Sequence, residues 1–216
     1  MDPYYNRPEV SNSDLVELKK HFMPRMQIGD IQAAYRFGTL VDAIITEPEK
    51  LDFFNRTIDD YSYSAEEIEI ANLMKRAYLK DEYCRSSHRL AVFQKVFAHP
   101  VQLEHEGFEF SLAMRCKFDR WFPAIGAGDD LKSTACTTQK QFEEAIRYFD
   151  YDQQRAVYMT LSGSKRDMLI GISKENFKIF KVPITRDSEL FKTGMQKFQD
   201  NAFKYWTLFG DLKLTA

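Results

Sequence analysis

Every second residue from Phe108 to Phe118 is apolar: Phe108, Phe110, Leu112, Met114, Cys116 and Phe118. Between them stand Glu109, Ser111, Ala113, Arg115 and Lys117, with Asp119 next in the polar phase. Alternation with a period of two predicts a strand with one face on a core. It places Asp119 on the face opposite the apolar stripe. The turn residues of 121–128, Pro123, Gly126 and Gly128, then lead into a second strand at 129–134. There the same period sets Asp130 and Lys132 on one face and Leu131 on the other. Val101–Glu106 reads as a strand turned at Gly107 into the first one. Strands at 101–106, 108–120 and 129–134 are therefore expected as antiparallel neighbours. Met168–Ile172 and Phe177–Val182 add two more.

Helical spacing governs most of the rest. A helix is expected from Ser11 or Ser13, through Leu15, Leu18 and Phe22, to a stop at Pro24. Gln32–Thr46 carries Phe37, Leu40, Val41, Ile44 and Ile45 on one face. Residues 52–64 are polar and read as loop. Ala65–Leu79 is helical, with Ile68, Leu73, Met74 and Tyr78 inward. Asp81–Ala98 reads as a further helix stopped by His99-Pro100, with Arg85, His88, Arg89 and Lys95 as a basic side. That side is open to two readings, a solvated face or a DNA-facing one. Thr138–Phe149 and the segment from Tyr151 onward give two more helices. The last is Glu189–Phe209, where Phe191, Met195, Phe198, Ala202, Tyr205 and Phe209 form a stripe that reads as core packing or as an oligomer contact. The pattern as a whole predicts an α/β domain, a mixed sheet with helices on both sides.

Composition narrows the class. The 216 residues are 44% apolar and 29% charged, as in a globular domain with a real core. No repeat, low-complexity run or linker divides them, so one domain over residues 1–216 is expected. The net charge of −2, from 30 basic and 32 acidic residues, is not that of a chain attracted to nucleic acid by bulk charge. Cys84, Cys116 and Cys136 are too far apart for a zinc motif. No apolar run approaches membrane-spanning length, and the first ten residues lack the apolar core of a signal peptide. A reduced cytoplasm and no membrane are the expectation.

The candidate chemistry lies where the two strands meet. Hard cations such as Mg²⁺ take oxygen ligands, commonly one or two carboxylates plus waters. Asp119 and Asp130 could supply them. Lys132 could hold an attacking water or balance developing negative charge. Asp42 sits among the apolar residues of its helix, where a carboxylate needs a partner or a metal. The alternative for Asp42 is an exposed position on the polar face. Ser11 or Ser13 could hold a phosphate at the first helix N-terminus, or could simply cap it.

These elements fall in a recognisable order. Val10-Ser11-Asn12-Ser13-Asp14-Leu15 comes first, then Gly38-Thr39-Leu40-Val41-Asp42, Asp119, Asp130-Leu131-Lys132, and Gln154 with Tyr158 one helical turn later. The set resembles the PD-(D/E)XK nuclease superfamily, in particular the exonuclease-VIII-type domain of phage and prophage recombination exonucleases, from about Ser11 to Tyr158. The resemblance implies a restriction-endonuclease-like mixed sheet flanked by helices. It implies a Mg²⁺- (or Mn²⁺-) dependent deoxyribonuclease, with DNA, a single-strand annealing protein and further copies of the chain as candidate partners. It further implies that Asp119, Asp130 and the Leu131 carbonyl hold the metal and that Lys132 is catalytic. Gln154 and Tyr158 would line the site, and Ser11 and Ser13 would touch substrate. Two positions depart from the family pattern. Asp42 stands where close relatives carry histidine, which bears on metal preference, and Phe118 precedes Asp119 in place of proline. Exonuclease and endonuclease action are both open at this point. So is a catalytically silent relative that binds DNA or a protein partner, although Asp119, Asp130 and Lys132 are all intact.

Overall fold

The computed structural model describes residues 3–24 and 30–210. The first two residues of the turn-like N-terminal stretch lie outside them. In chain order the elements are α1 (Asn12–Phe22), α2 (Ile31–Thr46), β1 (Thr57–Ile58), β2 (Tyr61–Ser62), α3 (Ala65–Lys80), α4 (Glu82–His88), β3 (Val92–His105), β4 (Phe108–Phe122), β5 (Ala127–Thr134), α5 (Gln139–Tyr148), α6 (Tyr151–Ser162), β6 (Arg166–Ser173), β7 (Ile179–Thr185) and α7 (Glu189–Phe209).

The alternating strand is β4, and its stripe from Phe110 to Phe118 is buried as the pattern requires. It pairs antiparallel with β3 in one register from Val92↔Trp121 to His105↔Phe108, interrupted only opposite Asp119, where Gln94 has a positive φ of 53°. Glu106 and Gly107 close this hairpin, both with positive φ (50° and 81°). Such a two-residue loop matches the right-handed twist of the strands. The main sheet runs β3-β4-β5-β6-β7, with β5 and β6 parallel and the other pairs antiparallel. The predicted mixed sheet and its three antiparallel neighbours are thus present.

Helices cover both faces. Leu15 of α1, Val157 and Leu161 of α6, and Phe198 and Ala202 of α7 pack on the β4 stripe. Leu40, Ile44, Ala71, Met74 and Tyr78 of α2 and α3 cover Leu131, Ile170 and Ile172 on the other side. The first part of the α7 stripe is thereby taken up by the core, where Phe198 and Ala202 are fully buried and Phe191 nearly so, whereas Phe209 at its end is exposed. Gly194 lets α7 approach α6, because a Cβ there would lie 2.2 Å from the Asp152 carbonyl oxygen.

One expectation fails. Asp81–Ala98 is not a single helix: α4 ends at His88, and Val92 begins β3. Val92, Phe93, Val96 and Phe97 are β-branched or aromatic, and cross-strand packing against β4 favours them there. Nor does Pro100 stop anything. β3 is an edge strand, where a residue without an N–H is tolerated. Arg85, Arg89 and Lys95 are exposed, whereas the His88 ring nitrogen shares a hydrogen bond with the Tyr78 hydroxyl. The polar stretch 52–64 is mostly loop, as expected, with β1 and β2 as a two-residue ladder inside it.

The sheet is forked at its centre. β4 and β5 pair over only three positions, from Arg120↔Asp129 to Phe122↔Ala127, and then part. Lower down, the edge that β5 abandons is taken by the N-terminal segment. Val10 donates to the Ala113 carbonyl and accepts from the Arg115 N–H. Between the Val10 bridge and the three β5 pairs, residues 116–119 of β4 have no ladder partner on this edge.

Candidate functional site

At the fork, a side chain replaces the missing ladder. The Leu131 N–H donates to Asp119 Oδ2 at 2.7 Å. This ties Asp119 to the strand that carries Asp130 and Lys132. Lys132 Nζ stands 2.5 Å from Asp130 Oδ2 and 4.9 Å from the centre of the Tyr151 ring. Leu131 turns its side chain into the core beneath α2 and α3, as alternation requires. Asp42 reaches in from α2. Its carboxylate accepts from Gln94 Nε2 at 3.1 Å and from Thr46 Oγ1 at 3.3 Å. It is partly buried, so the reading of an exposed polar position does not hold.

The three carboxylates feel one another. Burial, and then the charge of Asp130, raise the Asp42 pKa to about 6. Burial, and then Asp42 and Asp130, hold the Asp119 carboxyl well above its ordinary value. Burial works against the Lys132 ammonium, but Asp130 and the neighbouring groups outweigh it and the pKa is raised. Three carboxylates thus gather around the Lys132 ammonium.

Two further residues of α6 were expected here, and a third was not. Gln154 Oε1 is buried without an aligned donor. Tyr158 is buried, and desolvation pushes its hydroxyl pKa up. Between them in sequence, Arg155 is fully buried. Its Nη2 lies 3.1 Å from Asp130 Oδ1, and its Nη1 lies 3.4 Å from both Asp167 oxygens. Its guanidinium sits 4.0 Å from the Tyr158 ring centre. Asp167, on β6, is also buried, and desolvation raises its pKa to about 7. Neither Arg155 nor Asp167 stands out in the sequence. A signal was nonetheless present: an arginine at 155 falls among the buried positions of α6, where a charge requires a partner.

Ser11 is the N-cap of α1. Its Oγ accepts the Asp14 N–H, and the Asp14 carboxylate accepts the Ser11 N–H at 2.7 Å, a complete capping box. Ser13 is exposed on the first turn. Both lie beside the fork because Val10 is fastened to β4.

Residues 15–211 match the model of a family described as a PDDEXK-like domain of unknown function (DUF3799). The chain belongs to this family. Among solved structures, this PDDEXK-like domain is similar to a protein from Eubacterium rectale provisionally assigned as an exonuclease. The TM-score is 0.56 at 19% identity, over 86% of this chain and 70% of that one. A phage-related exonuclease from Haemophilus somnus 129PT gives 0.41 at 16%, over 79% of this chain and 83% of that one. An alkaline exonuclease from Laribacter hongkongensis gives 0.39 at 12%, over 95% and 91%. At 19% identity the likeness to the Eubacterium rectale protein is one of fold. No curated protein matches the chain.

The donor set of the PDDEXK-like domain suits a hard divalent cation in its chemistry: carboxylates at 42, 119 and 130 and a strand carbonyl at 131. Six buried side-chain polar atoms among the described residues lack an aligned hydrogen-bond partner. Four of them are here: Asp130 Oδ2, Gln154 Oε1, and Arg155 Nε and Nη2. Such atoms are rare and call for a reason. Among the described residues, no group of three or more His, Cys, Asp or Glu side chains is arranged to hold a metal ion, and these three carboxylates are no exception. Each carboxylate is instead turned to a protein partner: Asp42 to Gln94, Asp119 to the Leu131 N–H, and Asp130 to Lys132 and Arg155. Also among the described residues, no helix is long and apolar enough to cross a membrane.

Proposed function

We propose that this PDDEXK-like domain is a divalent-metal-dependent deoxyribonuclease, exonuclease-like in action, that hydrolyses DNA phosphodiester bonds. One observation carries the reading. Burial and the charge of Asp130 raise the pKa of Asp42, and burial with Asp42 and Asp130 raises that of Asp119, at a strand fork that also holds Lys132. A pocket of that charge is relieved by a bound cation. Asp119, Asp130 and the Leu131 carbonyl would hold Mg²⁺ or Mn²⁺, with Asp42 as a further ligand. Once bound, the ion supplies charge on the phosphoryl oxygens and lowers the pKa of a water.

The chain's own residues do the rest. Lys132, held by Asp130 and set over the Tyr151 ring, places an ammonium where negative charge grows as the phosphate is attacked. Gln154 has a free acceptor, Oε1, to orient a water. Tyr158 forms the wall beneath. The start of α1, with Ser13 exposed and Ser11 capping, offers N–H groups to the DNA backbone. Processing of DNA ends for recombination, beside a single-strand annealing protein, is the setting this activity implies.

The test is one titration of Mg²⁺ and Mn²⁺ with end-labelled linear and closed circular DNA. Cleavage of linear DNA alone is the expected result. Cleavage of both would make the protein an endonuclease. DNA binding with no cleavage under either metal would select the second reading, a catalytically silent binding module. What favours that second reading is that each of the three carboxylates already has a protein partner.

A further inference from the structure

A buried arginine adds little to stability. Two of the Arg155 donors, Nε and Nη2, have no aligned acceptor although the side chain is fully buried. The unpartnered Nε costs about 1–3 kcal/mol, while Nη2 is ion-paired with Asp130 Oδ1 at 3.1 Å without hydrogen-bond alignment. An apolar residue of similar volume commonly leaves a protein as stable or more so. The cost therefore calls for an explanation in what the guanidinium does to its neighbours.

Its neighbours come from four elements. The arm is on α6, one residue after Gln154. The anchor is Asp167 on β6, whose own Oδ1 accepts the Met168 N–H at 2.6 Å. The target is Asp130 on β5, where Arg155 meets Oδ1 and leaves Oδ2 to Lys132. The Tyr158 ring lies 4.0 Å from the guanidinium, and Phe118, edge-on to Tyr158 at 5.1 Å, lies 5.5 Å from it on the same side. A planar group gripped on its face and at one edge has little freedom to rotate.

We propose that Arg155 is a positioning residue of the candidate site. Anchored by Asp167, it fixes the Asp130 carboxylate with Oδ2 turned toward Lys132 and the cation position. The proposal rests on the nuclease reading of the site, because it assigns Asp130 a task that orientation can improve. Residues that orient a metal-ligating carboxylate typically change cation affinity or activity by about 10–100-fold when replaced.

Arg155→Lys separates charge from geometry. It keeps a cation in the pocket but cannot bridge two carboxylates in one plane. Asp167→Asn removes the anchor and leaves Arg155 and Asp130 in place. Arg120→Lys is the control, since Arg120 is an equally buried arginine paired with Asp129. Mn²⁺ binding by calorimetry, kcat and KM on linear DNA, and melting temperature are measured on each. Arg155→Lys and Asp167→Asn should weaken Mn²⁺ binding about 10-fold and lower kcat about 10–100-fold, with KM for DNA within about two-fold. Arg120→Lys should lower the melting temperature and leave Mn²⁺ affinity unchanged. Wild-type Mn²⁺ affinity and kcat in Arg155→Lys would overturn the proposal. So would equal loss of cation affinity in Arg155→Lys and Arg120→Lys, or loss of the folded state in both Arg155→Lys and Asp167→Asn. If the wild type itself binds no Mn²⁺, the metal-dependent reading falls first, and this one with it.

Discussion

A site built from mutually repelling carboxylates should weaken the fold that carries it, and Asp42→Asn tests this. Burial and the charge of Asp130 raise the Asp42 pKa from an ordinary 3.8 to about 6. At neutral pH the group is ionised in both states, but ionisation is harder in the folded one. A tenfold change in proton affinity is worth about 1.4 kcal/mol, so the ionised side chain destabilises the cation-free fold by about 3 kcal/mol. The amide removes that charge but loses one of the acceptors that Gln94 and Thr46 use. About half of the gain should survive. For a chain of this size 1 kcal/mol moves Tm by roughly 2–4 °C, which gives a rise of about 3–6 °C.

The assay is thermal melting in chelator and in a Mg²⁺ series. In chelator, Asp42→Asn should melt above the wild type. With Mg²⁺, the wild type should gain stability as the logarithm of concentration, by about 2.7 kcal/mol at a hundred times Kd, and the variant should gain less. The pH dependence has a definite sign. A carboxyl whose folded pKa is raised binds its proton more tightly in the native state. It therefore contributes stability at low pH that is lost as pH rises through the folded value. In chelator the wild type should lose stability between about pH 4 and pH 6 through this group, and Asp42→Asn should lose less. An amide variant that melts below the wild type in chelator, together with a wild type indifferent to Mg²⁺, would refute the reasoning.

Lys132→Ala should lower DNA-cleavage turnover by about 10²–10³-fold and leave DNA affinity nearly unchanged, because a transition-state contact is removed. Its melting temperature should change by no more than a few degrees, since Arg155 still faces Asp130. Cleavage at the wild-type rate would make Lys132 a structural ion-pair partner only. Asp129→Asn should cost roughly 3–5 kcal/mol in denaturant unfolding, because it strands the Arg120 guanidinium in the core. Cation binding measured by calorimetry should be retained in that variant, and its loss would show that the two faces of β5 are not independent.

Periodicity was sufficient wherever one face of an element meets the core and the other meets solvent. β4, α2, α3 and α7 follow their patterns closely, and α7 begins and ends where its stripe does. It was insufficient in 81–98, where a seven-residue helix is followed by the first half of an edge strand whose residues are half-buried without clean alternation. The candidate site divides in the same way. Asp119, Asp130 and Lys132 are found by phase, and Asp42 by a charge placed among apolar neighbours. Arg155 and Asp167 are 12 positions apart and meet only because α6 packs against the sheet beneath β5 and β6. No local pattern records a contact made by packing.

The adjacent pair Asp129-Asp130 shows what decides between structure and chemistry. A central strand buried on both faces carries two successive carboxylates, one on each face. Each needs a cation, and each has a buried arginine. Asp129 receives two aligned bonds from Arg120, one of them Nε to Oδ1 at 2.6 Å, and a third, longer contact from the Tyr83 hydroxyl. The Arg120 guanidinium is completed by the Tyr78 hydroxyl at 2.6 Å and Ser87 Oγ at 3.0 Å. That network is closed. Across the strand, Arg155 leaves two donors unaligned, and Asp130 Oδ2 is met only by the Lys132 ammonium. Both arrangements place two charges in a low-dielectric interior, and only the second leaves capacity unused. A closed network holds the sheet together. An open one, at a fork where two strands separate and two more carboxylates converge, can exchange its partners for a cation and a phosphate.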